Sequence, residues 1–443
     1  MQANPAIGRT QEFSRTPASY QWKLAALVAS LGLMLLTLVD ARRAFLFPAY
    51  AWKTPYFSLG PWHLAMATAG ILGIVVFYRS LKSQEGKIAT PRLEGYVKWL
   101  TFIIFGMFII DAFTYRGVAA ARAAEAGKVG VSWLNAYGVT GWLKPLALAV
   151  SYQLTVWHAT FLGVMLAGLA LTVLPRYLKP MFARTGLGGS LFGAAFALPQ
   201  PFCSCCASVI SPSLARQGAS KQFLLAFVVG SPMLNLTALV LAALLLPAPY
   251  AILRVAAGLL LTLPVTFGVA WVASRWEGSG WTPRGPVGMA MMRLMNGYCR
   301  LFQVDELVKD RRMDTPAAFI GSWLSVSRRI AVLLVPTLFV LGMITSALVQ
   351  VLPAAFGNNL ASVGIAAVAG TVFMVSTWSE IPMAQQMLQA GFNGPAATLL
   401  VVLPPVSLPC LMLLGGALAN MRMVALLGVT VAVVGFIAGV AFL

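Results

Sequence analysis

From Trp22 to the C-terminus the chain alternates long apolar runs with short connections that carry most of its charge. Runs of about 18 or more apolar residues predict helices that cross a bilayer. Nine stretches fit or approach that length: Trp22–Val39, Pro61–Tyr78, Trp99–Phe113, Leu146–Leu174, Phe223–Leu246, Val255–Ala273, Ile330–Leu352, Pro395–Leu418 and Met423–Leu443. The first is followed by Asp40 and the Arg42-Arg43 pair instead of a small-residue cleavage site, so it reads as a retained helix. Trp22, Trp62, Trp99, Trp142 and Trp271 stand near segment ends, where amphipathic rings anchor helices at the headgroups.

Two further apolar stretches, Leu187–Cys206 and Ala361–Trp378, do not fit as simple crossings. If both crossed, Arg275–Arg329 with its nine Lys and Arg residues would face outside, against the positive-inside tendency. If instead each is a re-entrant hairpin, Gly186–Gln217 enters and leaves on the cytoplasmic face and Ala361–Ala390 on the outer face. With a cytoplasmic N-terminus, 23 of the 31 basic residues then lie inside and 8 outside. The fold expected is an all-α polytopic membrane protein with about nine spanning helices and two re-entrant helical hairpins.

The hairpins also define a repeat. An offset of 173 superposes Gly218 on Gly391, Leu214 on Met387, and Ser231-Pro232 on Pro404-Pro405. Each unit is one spanning helix, a hairpin and two more spanning helices, and entry from opposite faces relates the units by inversion. Such inverted repeats, with discontinuous helices meeting near mid-membrane, recur in secondary transporters. The expected domains are residues 1–145, an N-terminal three-helix extension without evident chemistry that would serve as scaffold or homodimer surface; 146–274, repeat 1; 275–329, a cytoplasmic linker; and 330–443, repeat 2. Within the linker, the Met-rich stretch Val287–Phe302 reads as an interfacial helix or cover.

Composition narrows the function classes. The chain is 59% hydrophobic and 10% charged, against roughly 25% charged in soluble domains. A net charge of +19 in a soluble protein would suggest nucleic acid. Here the basic residues sit between apolar segments, so they orient helices and meet anionic lipid, and no nucleic acid is expected.

The chemistry concentrates at Pro199-Gln-Pro-Phe-Cys-Ser-Cys-Cys206, where two prolines break an apolar run and three thiols follow. Freed backbone groups survive in a bilayer only inside protein or against a wet cavity. Cys203, Cys205 and Cys206, with Ser204 between them, therefore line a candidate site, and thiolates suit soft ions or thiophilic metalloids. A buried thiol is also an ordinary small apolar side chain, but three of them beside a break favour the site. Zinc is not expected, because no second Cys or His cluster exists and His63 and His158 are isolated in the sequence.

In repeat 2 the counterpart segment is Ser376-Thr-Trp-Ser-Glu-Ile-Pro382. Glu380 is the only acidic residue at predicted membrane depth there; such a group lines a cavity, pairs, carries protons, or snorkels to the surface. Ser376 lies beside it. Asp111 reads as interfacial, near its helix end. Ser231, Pro232 and Asn235, and Pro404-Pro405 with Ser407 and Cys410, interrupt the helices after the hairpins, where Ser and Asn can satisfy freed backbone or face a solute.

Pro201-Phe-Cys-Ser-Cys205, Leu214-Ala-Arg-Gln-Gly218 and Gly230-Ser-Pro-Met-Leu-Asn235 resemble the signature of the predicted-permease family named for organoarsenical efflux permeases (ArsP), over about Leu146–Leu443. The resemblance implies an inner-membrane permease whose best-understood branch exports trivalent organoarsenicals through cysteines. It would make Cys203 and Cys205 the family thiols and Ser231, Pro232 and Asn235 the broken helix; Cys206 adds a third thiol.

The function expected is a secondary transporter of a small thiophilic solute, a trivalent arsenical or a sulfur compound, held by the three cysteines with Glu380 as a proton-coupling candidate. No nucleotide-binding or other cofactor motif is present. The alternatives are a membrane redox protein cycling a Cys203/Cys206 dithiol, and a structural subunit of a membrane complex.

Overall fold

A helix that contains proline or meets glycine at its end must stop or bend, and this chain distributes both residues so that its long apolar runs become strings of shorter helices. The computed structural model describes residues 17–43, 46–47, 52–53, 57–86, 88, 90–126, 138–177, 179–198, 203–216, 218–275, 293, 313–351, 357–373, 380–418 and 420–443. Pro199–Phe202, Ser376, the Met-rich stretch Val287–Phe302 apart from the backbone of Arg293, and the side chains of Cys205 and Cys206 lie outside the described residues.

Three long helices come first: α1 (Ala18–Arg43), α2 (Pro61–Glu85) and α3 (Thr90–Ala126). A two-residue hairpin, β1 (Trp52–Lys53) and β2 (Ser58–Leu59), precedes α2. Then follow α4 (Lys144–Tyr177), α5 (Lys179–Phe182), α6 (Gly186–Ala197), α7 (Ser204–Arg216), α8 (Lys221–Met233), α9 (Leu236–Leu245), α10 (Ala248–Leu260) and α11 (Thr266–Arg275). The last six are α12 (Pro316–Val351), α13 (Leu360–Val372), α14 (Glu380–Gln389), α15 (Asn393–Val402), α16 (Leu408–Leu418) and α17 (Met421–Val440). Among the described residues seven helical stretches are long and apolar enough to cross a membrane, or eight with the bent α4. The chain is thus an all-α polytopic membrane protein. Its five segment-end tryptophans are all exposed.

Two compact units are present. The smaller comprises residues 1–53, 57–107 and 311–322. There α1 packs along α2, and buried Glu85 accepts hydrogen bonds from the Tyr20 hydroxyl at 3.2 Å and the Ala317 amide at 2.8 Å. The larger holds residues 54–56, 108–310 and 323–443.

In the larger unit the elements α6 to α9 recur as α13 to α16 with the offset of 173 seen in the sequence. The local geometry recurs with them. Gly218 has φ 91° and Gly391 φ 79°, the left-handed region that glycine enters without penalty. Ala219 N–H donates to Leu214 O at 2.9 Å, and Phe392 N–H donates to Met387 O at 2.8 Å. These bonds satisfy the last carbonyls of α7 and α14 as left-handed C-caps do. Packing recurs too: α6 lies on α8 and α13 on α15, while α8 meets α10 and α11 as α15 meets α17.

Breaks appear where the sequence placed them. Helix α8 contains Pro232 and stops at Met233; α15 stops at Val402, and the buried Leu403–Ser407 turn with Pro404 and Pro405 precedes α16. Between α10 and α11 the residues Leu261–Val265 form a π-helical turn around Pro264, whose missing amide forces the wider turn. The Thr266 hydroxyl donates to Thr262 O at 2.5 Å there, engaging one of the carbonyls of that turn.

Alanine at position 218 or 391 must adopt the left-handed backbone, so Gly218→Ala and Gly391→Ala should each lose about 1–2 kcal/mol. Gly188→Ala, in open space within α6, should lose nothing. Thermal unfolding of the three detergent-purified variants checks this pattern.

Candidate functional site

A helix leaves its last carbonyls and first amides without intrahelical partners, and a broken helix inside a membrane has both in one place. The recurring elements answer this by crossing over. Helix α7 packs against α16, and its counterpart α14 packs against α9, the counterpart of α16. Each tip helix therefore meets the broken helix of the other half.

At the α14–α9 crossing the decisive group is Arg254 of α10, fully buried. One terminal nitrogen donates to Pro232 O at 2.9 Å and to Glu380 Oε1 at 3.2 Å. The other reaches Met233 O at 3.3 Å and Met233 Sδ at 2.8 Å. Pro232 and Met233 carry the last carbonyls of α8, the negative end of its dipole, and Glu380 sits in the first turn of α14, at the positive end. The guanidinium thus caps one interrupted helix while it pairs with the carboxylate opening another. Ile381, next to Glu380, belongs to an apolar cluster with Leu241, Ala242, Ala384, Ala397 and Leu400. The acceptors around the guanidinium make burial of the pair tolerable, and the Arg254 Nε alone of its three nitrogens has no hydrogen-bond partner among the described residues.

At the α7–α16 crossing the chemistry is sulfur. The Cys410 thiol, fully buried, donates to the carbonyl of Ser204 at 3.5 Å. Ser208 and the Ser407 backbone are further hydrogen-bond partners, and Cys203 lies within electrostatic range. Cys203 itself is half-buried, hence reachable. Buried Ser407 Oγ has no hydrogen-bond partner among the described residues.

The residues singled out from sequence fall as follows. Ser204 and Cys203 are brought to Cys410. Pro232 and Glu380 are brought together through Arg254. Ser231 donates to Phe227 O at 2.6 Å inside α8, and Asn235 Oδ1 accepts from Ala238 N–H at 3.2 Å, capping α9. Both therefore serve the break itself. Pro404 lies buried in the turn ahead of α16.

Three sequence expectations are corrected. Asp111 does not stand near a helix end, since α3 continues to Ala126, and its carboxylate is buried and paired with His158, Nε2 to Oδ1 at 3.0 Å. His63, isolated from other ligand residues in the sequence, likewise has an aspartate partner, Asp40 at 2.8 Å. That second pair, between α1 and α2, also gives the N-terminal helices a buried polar site they were not expected to have. Finally, Arg254, counted among the external basic residues, lies inside a continuous helix one residue before the predicted span at Val255. Its signal was present: it is the one charged residue between Lys221 and Arg275.

Discontinuous helices of two matching halves thus cross with buried polar groups between them, in a membrane protein whose family is that of permeases. The chain belongs to the predicted-permease family of the ArsP type, whose family model matches residues 142–443. It is 32% identical over 342 residues to the UPF0718 protein YraQ of Escherichia coli (strain K12), covering 76% of this chain and 91% of the relative. That match is longer than the family segment, so it takes in residues N-terminal to 142 as well. No solved structure matches the chain.

Removing the guanidinium while leaving the carboxylate should be far worse than removing both. Arg254→Met is expected to destabilise by about 3–5 kcal/mol, and the Arg254→Met/Glu380→Leu double variant to recover part of it. Equilibrium unfolding in mixed micelles, run as a double-mutant cycle, measures the coupling.

Proposed function

We propose that this permease is a secondary transporter that moves a small thiophilic solute, a trivalent organoarsenical or a sulfur compound, through the α7–α16 crossing. Cys203, Cys205 and Cys206 are its ligands from one half, and Cys410 adds a thiol from the other. Ser204, Pro404 and the orphan Ser407 hydroxyl are further candidate contacts, and Ser376, outside the described residues, is a candidate from the sequence alone. The observation that carries this reading is the contact of Cys410 with the carbonyl of Ser204, which joins the sulfur segment to the broken helix of the second half.

In this reading the segments Gly186–Gln217 and Ala361–Ala390 are re-entrant hairpins of an inverted repeat, in an inner membrane with a cytoplasmic N-terminus. The matching C-caps and crossings at an offset of 173 support the repeat, and the paucity of charge around the second hairpin supports its entry from the outer face. One half rocks against the other, so a site formed from both opens to each side in turn. Two or three labile thiolate bonds suit this cycle better than a closed four-ligand cage, which would hold a soft ion too long for release. The Arg254–Glu380 tie at the other crossing is the hinge about which the halves move, and Ser231, Pro232 and Asn235 maintain the break beside it.

Purified protein melted in the presence of phenylarsine oxide, cadmium or thiosulfate tests the reading. A solute at about 100 times its dissociation constant adds about 2.7 kcal/mol, a rise of a few degrees for a protein of this size. Phenylarsine oxide should give that rise in the wild type and none in Cys203→Ser/Cys205→Ser/Cys206→Ser, and Cys203→Ser should abolish flux in vesicles without loss of protein. An equal shift in the triple variant, or none with any probe, would defeat the proposal.

A further inference from the structure

The chain has two histidines, and both are buried against an aspartate; their hydrogen-bonding is not alike. In the His63 pair every position is used. Gly60 N–H donates to His63 Nδ1 at 3.0 Å, so Nε2 carries the proton and donates to Asp40 Oδ2 at 2.8 Å, while Asp40 Oδ1 accepts from Leu46 N–H at 2.7 Å. Such a closed pair fastens α1 to α2 and has no room for another proton.

The His158 pair is open. Nε2 meets Asp111 Oδ1 at 3.0 Å, and a carboxylate oxygen only accepts, so Nε2 carries the proton. That leaves His158 Nδ1 and Asp111 Oδ2, both buried, without a hydrogen-bond partner among the described residues. The Tyr115 ring stacks on the imidazole with centroids 4.5 Å apart and planes 8° apart, and Trp157 tilts against it at 5.1 Å. Phe108, one turn before Asp111, packs on Phe161 and Trp323. Within two turns of the pair, α3 carries Tyr115 and Arg116 and α4 carries Tyr152; the titratable or charged residues of α7 are Cys205, Cys206 and Arg216, and those of α12 are Arg328 and Arg329. Tyr115 is the one with a described contact to the pair, so the imidazole is the cation-capable group in described contact with Asp111.

The pair also sits at a joint. Helical stretches Gly141–Thr155 and Trp157–Val173, which meet within α4, are bent by 62° to one another, and His158 is the second residue past the bend. Helix α4 packs directly on α7, which carries the sulfur segment.

We propose that Asp111–His158 is an intramembrane proton-binding site of this permease, separate from the thiol site. A proton adds to the lone pair of Nδ1; no other bond breaks, and a neutral imidazole beside a carboxylate becomes an imidazolium–carboxylate pair. The local charge changes from −1 to zero at the bend of α4, in a medium where an uncompensated charge is costly. Protonation thereby alters the helix on which α7 rests, and the coupling proton of transport is taken here, leaving Glu380 to its pairing with Arg254. The site's existence does not rest on what solute the cysteines carry.

Full-length protein labelled with 15N-histidine in lipid nanodiscs shows two imidazoles, and whichever of His63→Gln or His158→Gln folds assigns both. As pH falls from about 8 to about 5, the bare Nδ1 of His158 is expected to become an N–H, while His63 keeps its Nε2–H tautomer throughout. If His158 stays in one neutral tautomer over the whole range, as His63 does, the proposal is overturned, whatever the thiol site binds. Asp111→Asn should abolish the change in that range; an unaltered transition in this variant would equally overturn the pairing.

Discussion

A backbone that stops being helical inside a bilayer must find partners for its freed amides and carbonyls, and this constraint governs the larger unit. Arg254 meets it most directly. Its guanidinium covers the two carbonyls at the end of α8 and at the same time holds the carboxylate that opens α14. One side chain therefore makes a broken helix tolerable and ties the two halves of the molecule. At the equivalent crossing the contact is of another kind, a thiol donating to the carbonyl of Ser204 in the first turn of α7. The two crossings thus differ in chemistry, an ion pair at one and sulfur at the other.

Features that depend on close neighbours along the chain are legible in the sequence. Prolines announce the breaks at Pro232 and Pro404-Pro405, and Gly218 and Gly391 announce left-handed helix ends because only the missing Cβ makes that backbone easy. The offset of 173 follows from these same local marks. What the sequence does not supply are partnerships made across long separations. Arg254 meets Glu380 from 126 residues away and Cys410 meets Ser204 from 206. Asp111 and His158 are 47 apart, and a search for ligand clusters at short spacing passes over both histidines. A lone charge in an apolar run, as at Arg254, is the general sign that such a distant partner exists, because the cost of burying it unpaired is prohibitive.

The buried polar groups of the chain thus fall into distinct kinds. Asp40–His63 is saturated and fastens one helix to another. Arg254–Glu380 is an ion pair that seals helix ends. Asp111–His158 leaves one atom of each partner unused, as Arg254 leaves its Nε and Ser407 its hydroxyl among the described residues.

The central claim is that the sulfur segment of one half lies against the broken helix of the other. It is tested most directly in native membranes with a variant in which Cys205, Cys206 and Cys299 are serine, leaving Cys203 and Cys410. A short bifunctional thiosulfonate is added, and the chain is then cut by a protease site placed within residues 276–312. The account predicts that the two fragments stay joined until a reductant is added. Fragments that separate without reductant, although both thiols react with a monofunctional reagent, would contradict it.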